Sequence, residues 1–132
     1  MSKFALQEFT NVIGKIKFFK LFEKGACQWD AFCDEIRKDS NLETQLITII
    51  SRMNDVANLR MLPKTKLRDI TPAKEKLKEY EIKTRDLRVY FIKNSIGNII
   101  LVSGKKNSQP EDIKKFRSVK KAYVEETKND KR

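Results

Sequence analysis

Tyr80-Glu-Ile-Lys-Thr-Arg-Asp-Leu-Arg-Val-Tyr-Phe-Ile92, followed after a short turn by Asn98-Ile-Ile-Leu-Val-Ser103, is the stretch that decides the fold. Polar and apolar residues alternate through Tyr80–Arg85 and again through Leu87–Lys93, the period of two that sends neighbouring side chains to opposite faces of a sheet. Asn98–Ser103 is a continuous aliphatic run after the turn Asn94-Ser-Ile-Gly97. The connections are short, so the three strands are expected to pair antiparallel. Parity then places Tyr80, Ile82, Leu87, Val89 and Phe91 on a buried face. Glu81, Lys83, Arg85, Arg88, Tyr90 and Ile92 fall on the other face, expected to meet solvent.

Upstream, Lys15-Ile-Lys-Phe-Phe-Lys-Leu-Phe22 begins in alternation, is rich in aromatics and ends at the turn signal Lys24-Gly25. It reads as a strand, with an aromatic amphipathic helix as the rival reading. Trp29, Phe32, Cys33 and Ile36 fall at i, i+3, i+4 and i+7, one face of a helix. Asp39-Ser40-Asn41 breaks that helix and caps a second, whose stripe runs Leu42, Leu46, Ile49, Ile50, Met53, Val56 and Ala57. The two form a helical hairpin whose apolar stripes are expected to cover the sheet. Pro63 ends the helical region. Residues 64–79 are charged, lack an apolar stripe, and read as a loop with one helical turn after Pro72. Downstream, Ser108-Gln-Pro-Glu111 reads as a capping box opening a last helix, with Ile113, Phe116, Val119 and Tyr123 as its apolar positions. The expected organisation is an N-terminal arm or short helix over 1–14, a single α+β domain over 15–126, and a polar tail over 127–132.

Charge points to the class of partner. The chain has 132 residues, with 29 Lys and Arg against 18 Asp and Glu and no histidine, for a net charge of +11. Met1–Leu59 holds 8 basic and 8 acidic residues, so the whole excess lies in the second half. A one-sidedly basic domain has a polyanion as its natural partner. A half-exposed strand alternates in charge whatever it binds, and the concentration of the excess tips the reading toward nucleic acid. Cations at Lys83, Arg85 and Arg88, with Lys105 and Lys106 after the third strand, can neutralise phosphates, and Tyr90 can stack on a base. Cys27 and Cys33 are too few for a disulfide scaffold and read as ordinary reduced cysteines, while the missing histidine excludes a Cys–His zinc site and any histidine acid, base or nucleophile. Trp29 and Phe32 read as core, and Lys114-Lys115 and Lys120-Lys121 as a solvated helix face. No apolar run approaches the roughly 20 residues that span a bilayer, and no signal-peptide pattern opens the chain, so no membrane partner and a cytoplasmic location are expected.

The stretch Tyr80–Ile92 resembles the central hairpin of the RelE/ParE superfamily of type II toxins. Ile99-Ile-Leu-Val-Ser-Gly-Lys-Lys-Asn-Ser-Gln-Pro110 is similar to the next strand and basic loop of its HigB-like, phage-derived branch, with an aliphatic strand, a glycine, paired lysines, then a glutamine and a proline before a helix. The segment from Lys17 to Ile36 is similar, more loosely, to the family's opening strand and first helix. The resemblance implies an α+β, RelE-like fold: an antiparallel sheet with a two-helix N-terminal hairpin packed on it and a C-terminal helix. It implies a metal-independent endoribonuclease without cofactor that cuts messenger RNA on the ribosome by attack of a ribose 2′-hydroxyl on the adjacent phosphate. A cognate antitoxin, of helix-turn-helix type, would silence it.

Residue by residue, the resemblance implies Arg88 as phosphate clamp, a role suited to a guanidinium that grips two oxygens. Lys83 would bind phosphate or move a proton, Glu81 falls where some relatives carry a base, and Lys106 would stabilise transition-state charge. Arg85, Tyr90 and Lys105 would contact RNA. The chain departs from relatives that use histidine as general acid, and it has no clear equivalent of a C-terminal tyrosine, since Tyr123 falls well along the last helix. In the ParE branch the same fold is associated with poisoning DNA gyrase. The alternative is therefore a non-catalytic nucleic-acid- or gyrase-binding protein on this fold.

Overall fold

The computed structural model describes residues 3–130. Met1 and Ser2 of the expected arm, and Lys131 and Arg132 of the expected tail, lie outside the described residues. Along the chain run β1 Phe4–Glu8, β2 Phe18–Glu23, β3 Ala26–Cys27, α1 Gln28–Ile36, α2 Ser40–Ala57, β4 Leu67–Asp69, β5 Lys78–Lys83, β6 Leu87–Lys93 and β7 Asn98–Lys105. A 3-10 turn at Lys106–Ser108 then leads into α3, Gln109–Asp130. The strands join in one open sheet of order β1-β2-β7-β6-β5-β4, with β3 pairing β2.

The meander β5-β6-β7 is antiparallel, as the short turns require. The sheet as a whole is not antiparallel as expected but mixed, because β2 lies parallel to β7, pairing Phe18 with Asn98 and Lys20 with Ile100. Two helices and the strands β3–β6 separate these strands in sequence, so no turn constrains their relative direction. Lys15–Phe22 resolves in favour of a strand, β2. The N-terminal arm is also a strand: β1 lies antiparallel to β2, and Phe4 and Leu6, two apart, point together into the core. A period of two, not the helical spacing, is the relevant pattern there. The loop 64–79 holds the short strand β4, and after Pro72 the chain makes a turn closed by Glu75 N–H donating to the Pro72 carbonyl at 3.1 Å, not a helical turn.

Both sheet faces are covered. On one, α1 buries Trp29, Phe32, Cys33 and Ile36, and α2 buries Leu46, Ile49, Met53 and Ala57. They pack against Phe18, Ile82, Leu87, Val89, Phe91 and Ile100, the face that parity assigned. Phe18 and Phe91 meet edge to face at 5.2 Å between centroids. Asp39 caps α2, its side chain accepting from Asn41 N–H at 2.9 Å. On the other face lies α3. Phe116 and Tyr123 are buried, with Ile113 and Val119 beside them, against Phe4, Leu21, Tyr90, Ile92, Ile99, Leu101 and Val102. A β-bulge sharpens this arrangement: Tyr90 pairs with Val102 and Phe91 with Ile100, so Leu101 has no opposite residue and both Leu101 and Val102 turn toward α3. The start of α3 is secured by Asp112 rather than by the expected Glu111. Ser108 Oγ stands 2.6 Å from Asp112 Oδ2 and 3.1 Å from the Lys105 carbonyl, with one proton to share between them, while Glu111 is exposed. The helix continues through Asp130, into the expected polar tail.

Candidate nucleic-acid interface

Three strands end together at one end of the sheet, and their register sets a row. Lys83 lies opposite Arg88, and Arg88 lies opposite Gly104, all on the face toward α3. Leu87 pairs with Lys105 on the other face, and Lys106 N–H donates to the Asp86 carbonyl at 2.8 Å, closing the end of β7 onto the β5–β6 turn. The turn itself is pinned to α2. Gln45 accepts from Thr84 Oγ1 and from Asp86 N–H, both at 2.7 Å, and donates to Asp86 Oδ2 at 2.7 Å. Arg52 donates to the Lys83 carbonyl. Lys83, Arg85, Arg88, Lys105 and Lys106 are thus brought to one end of the molecule on an ordered backbone.

Their accessibility differs. Arg85 and Lys106 are exposed, and Lys83 and Lys105 are half-buried. Lys105 Nζ lies 3.4 Å from Glu35 in a solvent-exposed pair, a contact of little strength. Among the described residues Lys83, Arg85 and Lys106 form no ion pair. An open hollow of about 380 Å³ lies between Leu42, Asp86, Lys105, Lys106 and Asn107. Arg88 is 7% exposed. One terminal nitrogen donates to the carbonyls of Thr84 and of Leu87, the latter at 2.8 Å, and its buried Nε has no partner among the described residues. A guanidinium bonded only to carbonyls keeps its charge uncompensated by any directly bonded carboxylate, which suits it to an anion.

The expectation that this sheet face meets solvent is overturned by α3. Tyr90 is fully buried, its ring 5.7 Å from that of Phe116, and cannot stack on a base in this arrangement. Burial pushes the Tyr90 hydroxyl well above the usual phenol range; Glu81 and Asp112 add to the rise and Arg88 opposes it. Glu81 is fully buried too. It holds Arg68 at 3.0 Å and accepts from the Gln109 side chain, so it anchors the helix start and does not stand open as a base. Glu79, two residues earlier, binds Arg117 at 3.0 Å and Lys120 at 2.7 Å. Lys120, expected on a solvated helix face, is therefore internal, and its ammonium also reaches Glu75 at 2.8 Å. The sequence carries a signal for the covered face: the unbroken runs Val89–Ile92 in β6 and Ile99–Val102 in β7 put apolar side chains on both sides, as strands covered on both faces do. Arg68, Gln109, Gln45 and Asp112 carry no such signal, because their roles come from contacts distant in sequence.

Both cysteines are free and buried. Desolvation raises Cys27 and pushes Cys33 up to about 11. Among the described residues no cluster of His, Cys, Asp and Glu is able to hold a metal ion, and no helix is long and apolar enough to cross a membrane. Compared with protein-family models, with curated proteins and with solved structures, the chain matches none.

Proposed function

We propose that this protein is a RelE/HigB-like toxin that cuts ribosome-bound messenger RNA without a metal. What supports the reading is the cationic end of the sheet: Lys83 and Arg88 in one cross-strand row, with Arg85 and Lys106 accessible and free of ion pairs among the described residues. In this reading Arg85, Lys105 and Lys106 hold the RNA backbone, and Arg88 supplies a fixed charge behind the scissile phosphate. Lys83 and Lys106 offset the negative charge that grows as the 2′-oxygen attacks in line. Glu81, bound to Arg68 and Gln109, keeps its place as an anchor, and the 2′ proton passes through solvent to the 5′-oxygen, which leaves as its bond to phosphorus breaks and the cyclic phosphate closes. The proposal includes a cytoplasmic location and a neighbouring helix-turn-helix antitoxin that neutralises the toxin.

One observation favours a second reading, a non-catalytic nucleic-acid- or gyrase-binding protein: Glu81 and Tyr90 are enclosed under α3. Product chemistry separates the two. Purified protein incubated with programmed ribosomes should leave fragments ending in 2′,3′-cyclic phosphate, and induced expression should halt translation. Lys106→Ala and Arg85→Ala, both at exposed positions, should lower cleavage at least tenfold with thermal stability unchanged. RNA binding with intact message at every enzyme concentration would sink the nuclease and leave the binding protein.

A further inference from the structure

One carboxylate stands among the cations at the end of the sheet. Of residues 83–88 and 105–107 only Asp86 is acidic, and among the described residues it forms no ion pair. Its backbone carbonyl accepts from Lys106 N–H at 2.8 Å, and its N–H donates to Gln45. Asp86 Oδ2 accepts from Gln45 Nε2 at 2.7 Å, so a neutral amide fixes the side chain without neutralising it. Asp86 Oδ1 has no hydrogen-bond partner among the described residues and, unlike the enclosed Arg88 Nε, is open to solvent. Leu42 lies one helical turn before Gln45 on α2, so a carboxylate bound to Gln45 stands at the α2 wall of the hollow of about 380 Å³ that Leu42 and Asp86 line with Lys105, Lys106 and Asn107. A hollow built for phosphate alone would gain nothing from a carboxylate, which repels it.

We infer that this hollow reads one base of the RNA, that the base is guanine, and that Asp86 is the residue that determines the choice. The inference rests on RNA being the ligand of this end of the sheet, and it names the nucleotide held there. On its Watson–Crick edge guanine carries two donors side by side, N1–H and the N2 amine, which a carboxylate accepts in charge-assisted hydrogen bonds. In adenine, cytosine and uracil every donor on that edge has an acceptor beside it, which the carboxylate repels. Leu42 covers the face of the ring, Asn107 donates to O6, and Lys105 and Lys106 hold the flanking phosphates. A cationic rim around one open carboxylate turns away a basic peptide, so the ligand is one that brings its own phosphates together with a donor edge.

The test uses the full-length protein and pentanucleotides with 2′-fluoro sugars, which carry no 2′-hydroxyl and so bind without being cut. Uridines flank a central guanine, adenine, cytosine, uracil or hypoxanthine. By fluorescence anisotropy the guanine pentamer should bind about tenfold more tightly than those with adenine, cytosine or uracil, and it should shift the amide resonances of Leu42, Asp86 and Asn107. Asp86→Asn should make the affinities alike without weakening the all-uridine pentamer. Hypoxanthine, which keeps N1–H and lacks the N2 amine, should lose most of the advantage, and it probes the same contact if Asp86→Asn does not fold. Equal affinity for every base, or a guanine preference that survives Asp86→Asn, overturns the inference and leaves RNA binding in place. Failure of every pentamer to bind overturns both. A guanine preference without cyclic-phosphate product on programmed ribosomes upholds the inference and removes only the cleavage.

Discussion

Lys120 places an ammonium, 4% exposed as a residue, between Glu75, Glu79 and the Leu77 carbonyl, each at 2.7–2.8 Å. A cation so far from water is tolerable only because three acceptors replace its hydration. Lys120→Met should cost on the order of 3 kcal/mol in urea denaturation, because Glu79 keeps only Arg117, whereas Lys121→Met, at an exposed position, should stay within about 0.5 kcal/mol. A pH dependence follows from the same group. The Lys120 hydrogen bond first, and its charge second, hold the Glu75 carboxyl below its usual 4.5. A carboxyl lowered by folding contributes stability that is fully present above 4.5 and is lost as pH falls through the lower folded value. The urea midpoint of the wild type should therefore drop on acidification below that point, and Lys120→Met should show a shallower drop. Sequence order hid this role, since Lys120-Lys121 reads as a charged pair. The spacing of Ile113, Phe116, Lys120 and Tyr123 does put Lys120 on the apolar stripe.

At the scale of elements, α3 and the strands under it depend on one another. A Cβ on Gly104 would come within 2.0 Å of Asp112 Oδ2, so the absence of a side chain lets the first turn of α3 close over β7. Gly104→Ala should turn the Asp112 carboxylate aside and break its hydrogen bond with Ser108, costing about 0.5–1.5 kcal/mol and speeding amide exchange around Asp112 before the rest of the helix. Phe116, fully buried on Tyr90, is the central contact of the same layer. Phe116→Ala should cost about 3–5 kcal/mol by calorimetry. The meander and both members of the helical hairpin were legible because Tyr80–Lys93 keeps its period of two and the α1 and α2 stripes keep theirs. The bulge was not: in Ile99-Ile-Leu-Val every residue is aliphatic, so an extra residue leaves no mark on the pattern. The second covered face was missed because charges at Glu81, Lys83 and Arg88 imitate a solvated surface, while the ion pairs that remove Glu81 and Glu79 from water come from Arg68, Arg117 and Lys120.

Over the whole molecule, the charge excess divides into two kinds. Arg68, Arg117 and Lys120 are taken up by internal carboxylates and add little to the outward field. Lys83, Arg85, Lys105 and Lys106 face the outside at one end. If all four meet phosphates, binding to single-stranded RNA should weaken with a slope of about −3 in log affinity against log salt, near −0.7 per contact. Fluorescence anisotropy over a salt series measures it, and Lys106→Ala should reduce the slope by about 0.7. The clustering of these cations followed from strand parity and a glycine-ended strand. That Arg88 stands behind them, bonded to the Thr84 and Leu87 carbonyls, depended on a burial that no period reveals.

The parallel pairing of β2 with β7 has a consequence for how the chain is made. The meander can assemble from neighbouring segments as soon as it has been synthesised, but β2 has its central partner only after residue 98 exists. Until then the β1–β2 ribbon, joined by β3 only at Phe22 and Glu23, carries Phe18 and Phe19 on a stretch with one bare edge, the kind of segment that joins other chains when left waiting. Lys17 and Lys20, set among those rings, keep the waiting strand charged and in solution. Ribosome speed through β4–β7 thus sets how long the nascent protein remains open to misassembly, and β7 is the segment whose arrival ends it.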